Sequence, residues 1–277
     1  MLLNKNKHFY EINDTCYTLV VQKEICRRHI KNFLSDDKVA KNFQKDKMPN
    51  LISSHSSNLI KRAKGIDPKT QINKATNIEL ACNKINGIII HPGEVFSFWE
   101  TIGKATKKKG YKEGRVIVRG ELVTGTGGGL CNLANTIHLM VLHSPLDVTE
   151  FHSHSDALAP DEGKRIPFSS GTSVFYNAVD YRFKNNTEQD IQLCVWCENE
   201  KLYGELRSEK EFPWKYELVE ENHHFQKEGE KYYRTSKIYK ETIDRQTNNI
   251  IDKALVLDNH SEVMYDYDLI PKELIKT

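Results

Sequence analysis

The chain has 277 residues, of which 38% are hydrophobic and 9% aromatic, so a folded core is expected and the class of disordered chains is excluded. Its 40 basic and 38 acidic residues give a net charge of +2, which offers no support for a nucleic-acid partner. Its apolar runs are too short to span a membrane, and the N-terminal residues lack the pattern of a signal peptide. We therefore expect a cytoplasmic protein whose six cysteines stay reduced.

The first 66 residues are polar and rich in lysine, and they predict a helical N-terminal arm. Apolar residues recur at helical spacing between positions 16 and 33. Arg27, Arg28 and Lys31 lie on or beside the edge of this apolar face. Such a basic border is most often a solvated rim, and it is also typical of helices that contact an acidic or membrane surface.

A second helix is expected to end near residue 65, and a core domain is expected over residues 67–210. Within it, a helix with Thr76 or Asn77 as its N-cap should end at Gly87, since glycine suits the left-handed position after a last turn. Short apolar runs predict buried strands at 88–90, 116–118 and 191–197. This mixture predicts an α+β fold with a mixed or antiparallel sheet packed against helices.

The composition changes at about residue 210, after which the chain is charged and rich in tyrosine. Two segments with this character, 231–240 and 250–267, flank a polar turn at 245–249. This pattern predicts a β-hairpin appendage within residues 211–277.

The most informative motif is Gly-Thr-Gly-Gly-Gly-Leu-Cys-Asn at residues 125–132, which leads into an apolar stretch typical of a buried helix. Cys131 is therefore expected at a helix entrance, where backbone N–H groups and the helix dipole favour a thiolate. The N–H groups of the turn, at Gly127, Gly128 and Gly129, suit a developing oxyanion. An inert cysteine on a structural turn is the main alternative. Anion binding is another, although the Gly-Lys-Ser/Thr ending of a phosphate-binding loop is missing.

A reactive cysteine usually needs a base, and the best candidates are His152 and His154 in His-Ser-His-Ser. Side chains two residues apart on a strand share a face, so one imidazole can pair with Cys131 while the other anchors the loop. A structural role and metal binding are the alternatives. Asp180 is a candidate to orient the base, and an ion pair with Arg182 that stiffens the strand is the blander interpretation.

Cys194 and Cys197 have the spacing of half a zinc site. They fall within a predicted strand, and no second pair is placed to complete four ligands. Core packing is therefore the expected role of these cysteines, and we expect neither a metal nor a cofactor.

Five motifs, taken together and in order, resemble the VanW domain over roughly residues 76–197. They are Asn-Lys-Ile-Asn-Gly at 83–87, Pro-Gly-Glu-Val-Phe-Ser-Phe at 92–98, Gly-Gly-Gly-Leu-Cys at 127–131, His-Ser-His-Ser at 152–155 and Asp-Tyr-Arg-Phe-Lys-Asn-Asn-Thr at 180–187. The C-terminal hairpin also resembles that of stand-alone VanW-like accessory proteins of VanB-type vancomycin-resistance clusters.

The resemblance implies a bacterial protein linked to peptidoglycan and glycopeptide resistance. Some VanW-domain proteins are regarded as cysteine-dependent L,D-transpeptidases of the cell wall. Carried over by motif, Cys131 would be the nucleophile, with His154, or in second place His152, as the base. The family commonly has Gln where this chain has Asn132, which with Arg182 is a candidate substrate-binding residue.

On this basis we expect acyl transfer or hydrolysis on a peptidoglycan stem peptide or its precursor. An amine would resolve the thioester by transpeptidation, and water would resolve it by carboxypeptidase action. The alternative is a non-catalytic module that recognises a precursor or a resistance-cluster partner through the same cleft. The sequence offers no signal for particular protein partners.

Overall fold

Four α-helices and fifteen β-strands make up the described part of the chain. The computed structural model describes residues 12–60, 62, 67–118, 121–152, 156–157 and 172–276. The helices are α1 (Asp14–Leu34), α2 (Pro68–Ile85), α3 (Phe98–Ile102) and α4 (Leu130–Leu142). The strands are β1 (Asn42–Phe43), β2 (Asn50–Asn58), β3 (Ile88–Ile90), β4 (Val95–Ser97), β5 (Glu113–Val118), β6 (Glu121–Thr126), β7 (Asp147–Glu150), β8 (Asp156–Ala157), β9 (Arg182–Lys184), β10 (Ile191–Glu198), β11 (Lys201–Ser208), β12 (Trp214–Glu228), β13 (Lys231–Asp244), β14 (Ile250–Val263) and β15 (Ile275–Lys276).

The core is built on an antiparallel five-stranded sheet with the strand order β1-β3-β10-β11-β2. Strands β10 and β11 form a hairpin that pairs from Ile191↔Ser208 to Glu198↔Lys201. Helices α2 and α4 pack against these strands. Their apolar side chains form one cluster with those of the sheet, which includes Ile78, Ile85, Leu133, Ile137, Leu193 and Leu206. The predicted α+β fold with an antiparallel sheet is therefore confirmed.

Helix α2 ends where the sequence predicts but begins about two turns earlier than expected. Asp67 is its N-cap and accepts hydrogen bonds from the amides of Lys69 and Thr70, with Pro68 as the first helical residue. The chain leaves the helix at Gly87, which has a φ of +85°. The prediction of Thr76 or Asn77 as N-cap is thus wrong, because Asn77 is buried in the middle of the helix.

The second helix expected to end near residue 65 is not formed over residues 50–58, which are strand β2, and residues 61 and 63–66 lie outside the described residues. This strand pairs with β11 along its length, with a register shift at Leu206/Arg207. It also contacts α4 through Ser53, whose Oγ donates to the backbone oxygen of Met140 at 2.9 Å. Serine is a poor helix-interior residue, and the free edge of β11 offers a ladder of backbone partners instead. The first helix of the arm, α1, is formed as predicted.

A small three-stranded sheet in the order β4-β9-β7 adjoins the core. Phe183 of the central strand β9 faces Phe96 of β4 and Val148 of β7 in the ladder. The Phe96 and Phe183 rings stack with centroids 4.8 Å apart. Next in register, Glu150 of β7 pairs with Arg182 of β9, so this sheet brings together charged residues from distant parts of the sequence.

The C-terminal part is a second five-stranded sheet in the order β15-β12-β13-β14-β8. Its β13–β14 hairpin matches the predicted one, and β12 adds a third long strand of 15 residues that the sequence pattern did not predict. Ile238 of this sheet packs against Leu142 at the end of α4. The sheet is therefore attached to the core through the same helix that carries Cys131.

The buried imidazole of His138 on α4 should make the protein sensitive to acid. Its Nδ1 lies 3.1 Å from the Tyr181 hydroxyl, and its ring stacks on Phe151. Burial lowers the pKa of His138 from 6.5 to about 3. Below pH 6.5 the unfolded chain therefore binds a proton at His138 that the folded chain binds only near pH 3. As the pH falls through this range, the free energy of unfolding decreases.

We expect a His138→Gln variant to lose less stability in acid than the wild type. The difference should reach about 2 kcal/mol at about pH 5, measured by urea unfolding across the pH range. His260→Gln is the control, because His260 lies half exposed on the C-terminal sheet. Parallel curves for wild type and His138→Gln would contradict the prediction.

Lys240 of β13, at the junction with the core, should make the stability depend on pH in the alkaline range. Its Nζ lies 4.6 Å from the Tyr216 ring centroid and donates to the backbone oxygen of Leu146 at 3.4 Å. Burial lowers the pKa of Lys240 from 10.5 to about 8, against the opposing charge of Asp147. Between these values the unfolded chain holds a proton that the folded chain has released, so stability rises with pH.

A Lys240→Met variant should lack this rise in stability from pH 8 to pH 10.5. In the wild type the gain should amount to at most about 3 kcal/mol, measured by denaturant unfolding. Lys227→Met, at an exposed position of β12, serves as the control. A rise of equal size in Lys240→Met and wild type would show that another group causes it.

Candidate functional site

The glycine-rich turn before α4 requires glycine for two separate reasons. Gly127 and Gly129 have φ values of +83° and +99°, which side chains rarely adopt. Gly128 packs directly on the backbone of β5, and an added Cβ would lie 2.3 Å from the carbonyl carbon of Gly114. The three glycines therefore allow the turn to lie directly against the neighbouring strand, with no side chain between them.

Asn77 of α2 fixes this turn from the other side. It is completely buried, and its Nδ2 donates to the backbone oxygens of Gly128 at 2.9 Å and Lys112 at 3.1 Å. Its Oδ1 accepts from the amide of Lys112 at 2.7 Å. One side-chain amide thus joins helix α2, the start of β5 and the glycine turn.

Cys131 is the second residue of α4, at the helix entrance that the sequence predicts. The residue is half-buried, and its Sγ lies 3.8 Å from the backbone oxygen of Val174. Burial raises the pKa of the Cys131 thiol, and backbone hydrogen bonds of Val174 and of Cys131 itself act in the opposite direction. The expected preference for the thiolate is therefore reversed in this conformation, because the loss of water outweighs the favourable helix entrance.

The segment 172–174 connects Cys131 to His152. Val174 contacts the cysteine sulfur through its carbonyl, as described above. The amide of the preceding residue, Ser173, donates to the backbone oxygen of His152 at 2.7 Å. The thiol and the histidine backbone are therefore bound to adjacent residues of one segment.

The imidazole of His152 is paired with Glu150, two residues earlier. Its Nε2 lies 3.2 Å from Glu150 Oε1, and the His152 side chain is 43% exposed. The same carboxylate accepts two hydrogen bonds from the Arg28 guanidinium of α1, one of them at 2.6 Å. Burial raises the pKa of Glu150, but the hydrogen bond and charge of Arg28 outweigh it and hold that pKa below its usual value.

Asp180 and Arg182 form a buried ion pair. Asp180 Oδ2 accepts from Arg182 Nε at 2.8 Å and from the Ser97 hydroxyl at 2.6 Å. Its Oδ1 accepts from the amides of Trp99 and Tyr181. Asp180 thus forms the ion pair with Arg182 that was one of its two expected roles. The carboxylate that contacts His152 is that of Glu150.

Glu150 is the site residue that the sequence analysis did not single out for this role. The available signal was its position two residues before His152 on an extended segment, which places both side chains on one face. Its second partner, Arg28, lies 122 positions away in sequence, and no local pattern indicates that contact.

Two further predicted site residues, Asn132 and Arg182, lie among the described residues. Asn132 accepts a hydrogen bond through Oδ1 from the Ser57 hydroxyl of β2 at 3.1 Å. Arg182 also donates from Nη2 to Asn32 of α1 at 2.7 Å. His154 lies outside the described residues.

A cleft of about 410 Å³ lies between α1 and β7. Arg27, Arg28 and Lys31 line it from the helix, and Glu150 and His152 line it from the end of the strand. Glu24 also lines the cleft, 3.6 Å from Arg27, so three cationic and two acidic side chains leave a small excess of positive charge there. The cleft therefore lies directly beside the His152 side chain.

The described residues contain no group of three or more His, Cys, Asp and Glu side chains arranged to hold a metal ion. Cys194 is buried in β10, and Cys197 is packed against the core cluster. Cys197 also forms a hydrogen bond with the Cys82 thiol, which raises the pKa of Cys82 and lowers that of Cys197. These contacts place both cysteines of the pair in the packing of the sheet.

Comparison with known proteins gives matches in sequence. The family model described as VanW like protein matches residues 73–207. The chain is 28% identical over 218 residues to the vancomycin B-type resistance protein VanW of Enterococcus faecalis, and the match covers 79% of each chain. It is 32% identical over 120 residues to the uncharacterized protein YoaR of Bacillus subtilis, which covers 43% of this chain and 38% of that protein. No solved structure matches the chain.

The range matched by the family model contains the glycine turn, Cys131, His152 and the Asp180–Arg182 pair. It also contains α4, most of α2 and nearly all of the β10–β11 hairpin, and therefore most of the apolar core. The family match therefore assigns a VanW domain to residues 73–207 of this chain, and the similarity to VanW of Enterococcus faecalis extends over a longer part of it.

Proposed function

We propose that this chain contributes to glycopeptide resistance by cysteine-dependent acyl transfer or hydrolysis on a peptidoglycan stem peptide or its precursor. The observation that supports this most is the position of Cys131. It follows a rigid glycine turn at a helix entrance, and it shares the segment 172–174 with the backbone of His152. The similarity to a vancomycin resistance protein supports the link to glycopeptide resistance.

In the proposed reaction a histidine removes the proton of the Cys131 thiol as the sulfur attacks a substrate carbonyl. Because burial raises the pKa of this thiol, proton removal has to accompany the attack. Backbone N–H groups of the glycine turn stabilise the oxyanion of the tetrahedral intermediate. The histidine then gives its proton to the leaving amine, and a thioester remains on Cys131.

Water or a second amine resolves that thioester. Attack by water releases a shortened peptide and corresponds to a carboxypeptidase, whereas attack by an amine forms a new peptide bond and corresponds to a transpeptidase. In both cases the Cys131 thiol is regenerated. Lys31 of the α1–β7 cleft, together with Arg27 beside Glu24, is suited to bind a carboxylate of the stem peptide.

A non-catalytic role in precursor recognition is the second candidate function. The raised pKa of Cys131 favours it, since an inert buried thiol has the same property. In that role the α1–β7 cleft would hold the precursor and Cys131 would serve only the packing of α4.

Incubation with a muramyl pentapeptide or its UDP-linked form should produce a thioester adduct on Cys131 or a trimmed peptide. Both are detected by mass spectrometry. Cys131→Ala should abolish them, because the nucleophile is gone, whereas Cys26→Ala should retain them because Cys26 is an exposed thiol on α1. Binding of the precursor without adduct or product in the wild type would support the recognition role instead.

The two histidines should differ in their effect on turnover. We assign the base to His154 and an anchoring role to His152, since the His152 imidazole is already bound to Glu150. His154→Ala should therefore reduce the turnover of the wild type by about 10²–10⁴-fold, the usual contribution of a general base. His152→Ala should cause a much smaller loss. A larger loss of turnover in His152→Ala than in His154→Ala would show that His152 is the base.

A further inference from the structure

Helix α1 presents an apolar stripe to solvent. The stripe consists of Leu19, Cys26, Ile30 and Phe33, which lie at helical spacing on one face. Leu19 is 57% exposed, Ile30 55% and Phe33 88%. Leu34, at the edge of this stripe, is also exposed. Over a helix of 21 residues, such exposure is unusual for a face that serves only as a solvated rim.

The opposite face of α1 is docked on the protein by polar contacts, which fixes the stripe outward. Arg28 is bound to Glu150 and is buried. One turn further, Asn32 accepts a hydrogen bond from Arg182. His29 lies 3.0 Å from the amide nitrogen of Asn177. The helix therefore binds the domain through polar contacts on this face, with Val21 and Ile25 half-buried, and leaves the stripe exposed.

A row of cations follows one side of the stripe. Lys23, Arg27 and Lys31 lie four residues apart, and all three are exposed. Glu24 is the acidic neighbour, with its carboxylate 3.6 Å from Arg27. A row of basic residues beside exposed Leu, Ile and Phe is the pattern of helices that lie in the interface of an anionic bilayer.

We propose that α1 is a membrane-binding surface whose apolar stripe enters the headgroup region of an anionic bilayer. Charge complementarity favours this occupant over a second copy of the chain. Two copies joined antiparallel through the stripe would bring the Lys23–Lys31 rows of both helices together, whereas anionic lipid headgroups neutralise them. The long stems of Lys23 and Arg27 let their charges reach the headgroups while the stripe is buried.

Helix α1 binds along the surface and does not cross it. No helix among the described residues combines the length and the apolar composition needed for a membrane span. In α1 itself the charges of Glu24, Arg28 and Lys31 interrupt the apolar residues. The binding is therefore reversible and depends on the lipid charge and the ionic strength.

Co-sedimentation with vesicles tests this proposal on the whole chain. The wild type should bind vesicles of phosphatidylcholine mixed with phosphatidylglycerol, bind phosphatidylcholine alone much more weakly, and dissociate as salt is added. The double variant Ile30→Glu/Phe33→Glu should lower the partition coefficient by at least about tenfold. Arg27→Gln should lower it by about fivefold.

The matched control is Ile251→Glu, because Ile251 is 56% exposed on β14, much as Ile30 is on α1. This variant should bind as the wild type does. If the double variant loses helicity by circular dichroism, Phe33→Ser gives the same test at a fully solvated position. Equal binding by wild type and stripe variants, or failure of the wild type to bind anionic vesicles, overturns the proposal. The proposal is also overturned if light scattering shows a dimer that the stripe variants dissociate, because the stripe then binds a second copy of the chain.

Discussion

The carboxylate of Glu150 is the contact on which the arrangement around the site depends. It binds Arg28 of α1, accepts the amide of Asp180 at 3.2 Å and holds the His152 imidazole. Arg182 lies 3.9 Å away and extends the same charge network. Because these charges are largely removed from water, each depends on its partners, and loss of one partner from such a pair typically costs about 3–5 kcal/mol. A single side chain therefore fixes the N-terminal helix, the small sheet and His152 relative to one another.

The second constraint is steric and concerns the other half of the site. Gly128 lies against the backbone of Gly114, and Asn77 binds the turn through its amide. Met140 at the far end of α4 lies so close to Gly204 of β11 that a Cβ there would be 2.5 Å from its Cε. The start of α4 is thus held by a position that accepts no side chain, and its last turn packs closely on Gly204. Cys131 is placed by backbone packing, whereas His152 is placed by charge.

The parts of this structure that follow from local pattern could be predicted from the sequence. The glycine turn and the apolar run after it placed Cys131 at the start of α4, and the apolar run at 191–197 placed β10. Strand β2 was missed because its serines show no apolar alternation, and it is a strand only because β11 has a free edge. Strand β12 was missed for the same reason, since its polar side chains resemble a loop until β13 pairs with it. The role of Glu150 depends on Arg28, and no periodicity reports a contact between residues so distant in sequence.

The polar docking of α1 has a consequence for how distant parts of the molecule influence each other. Arg28 on the inner face of the helix and His152 in the loop share one carboxylate, so a displacement of either changes the hydrogen bonds available to the other. Binding of a ligand that favours one position of His152 is then coupled through Glu150 to binding of a surface that favours one position of α1. Thermodynamic reciprocity requires that each alter the affinity of the other by the same factor. Through this single ion pair, binding at the outer face of α1 would change the affinity of the cleft for its ligand, and binding in the cleft would change the affinity at α1.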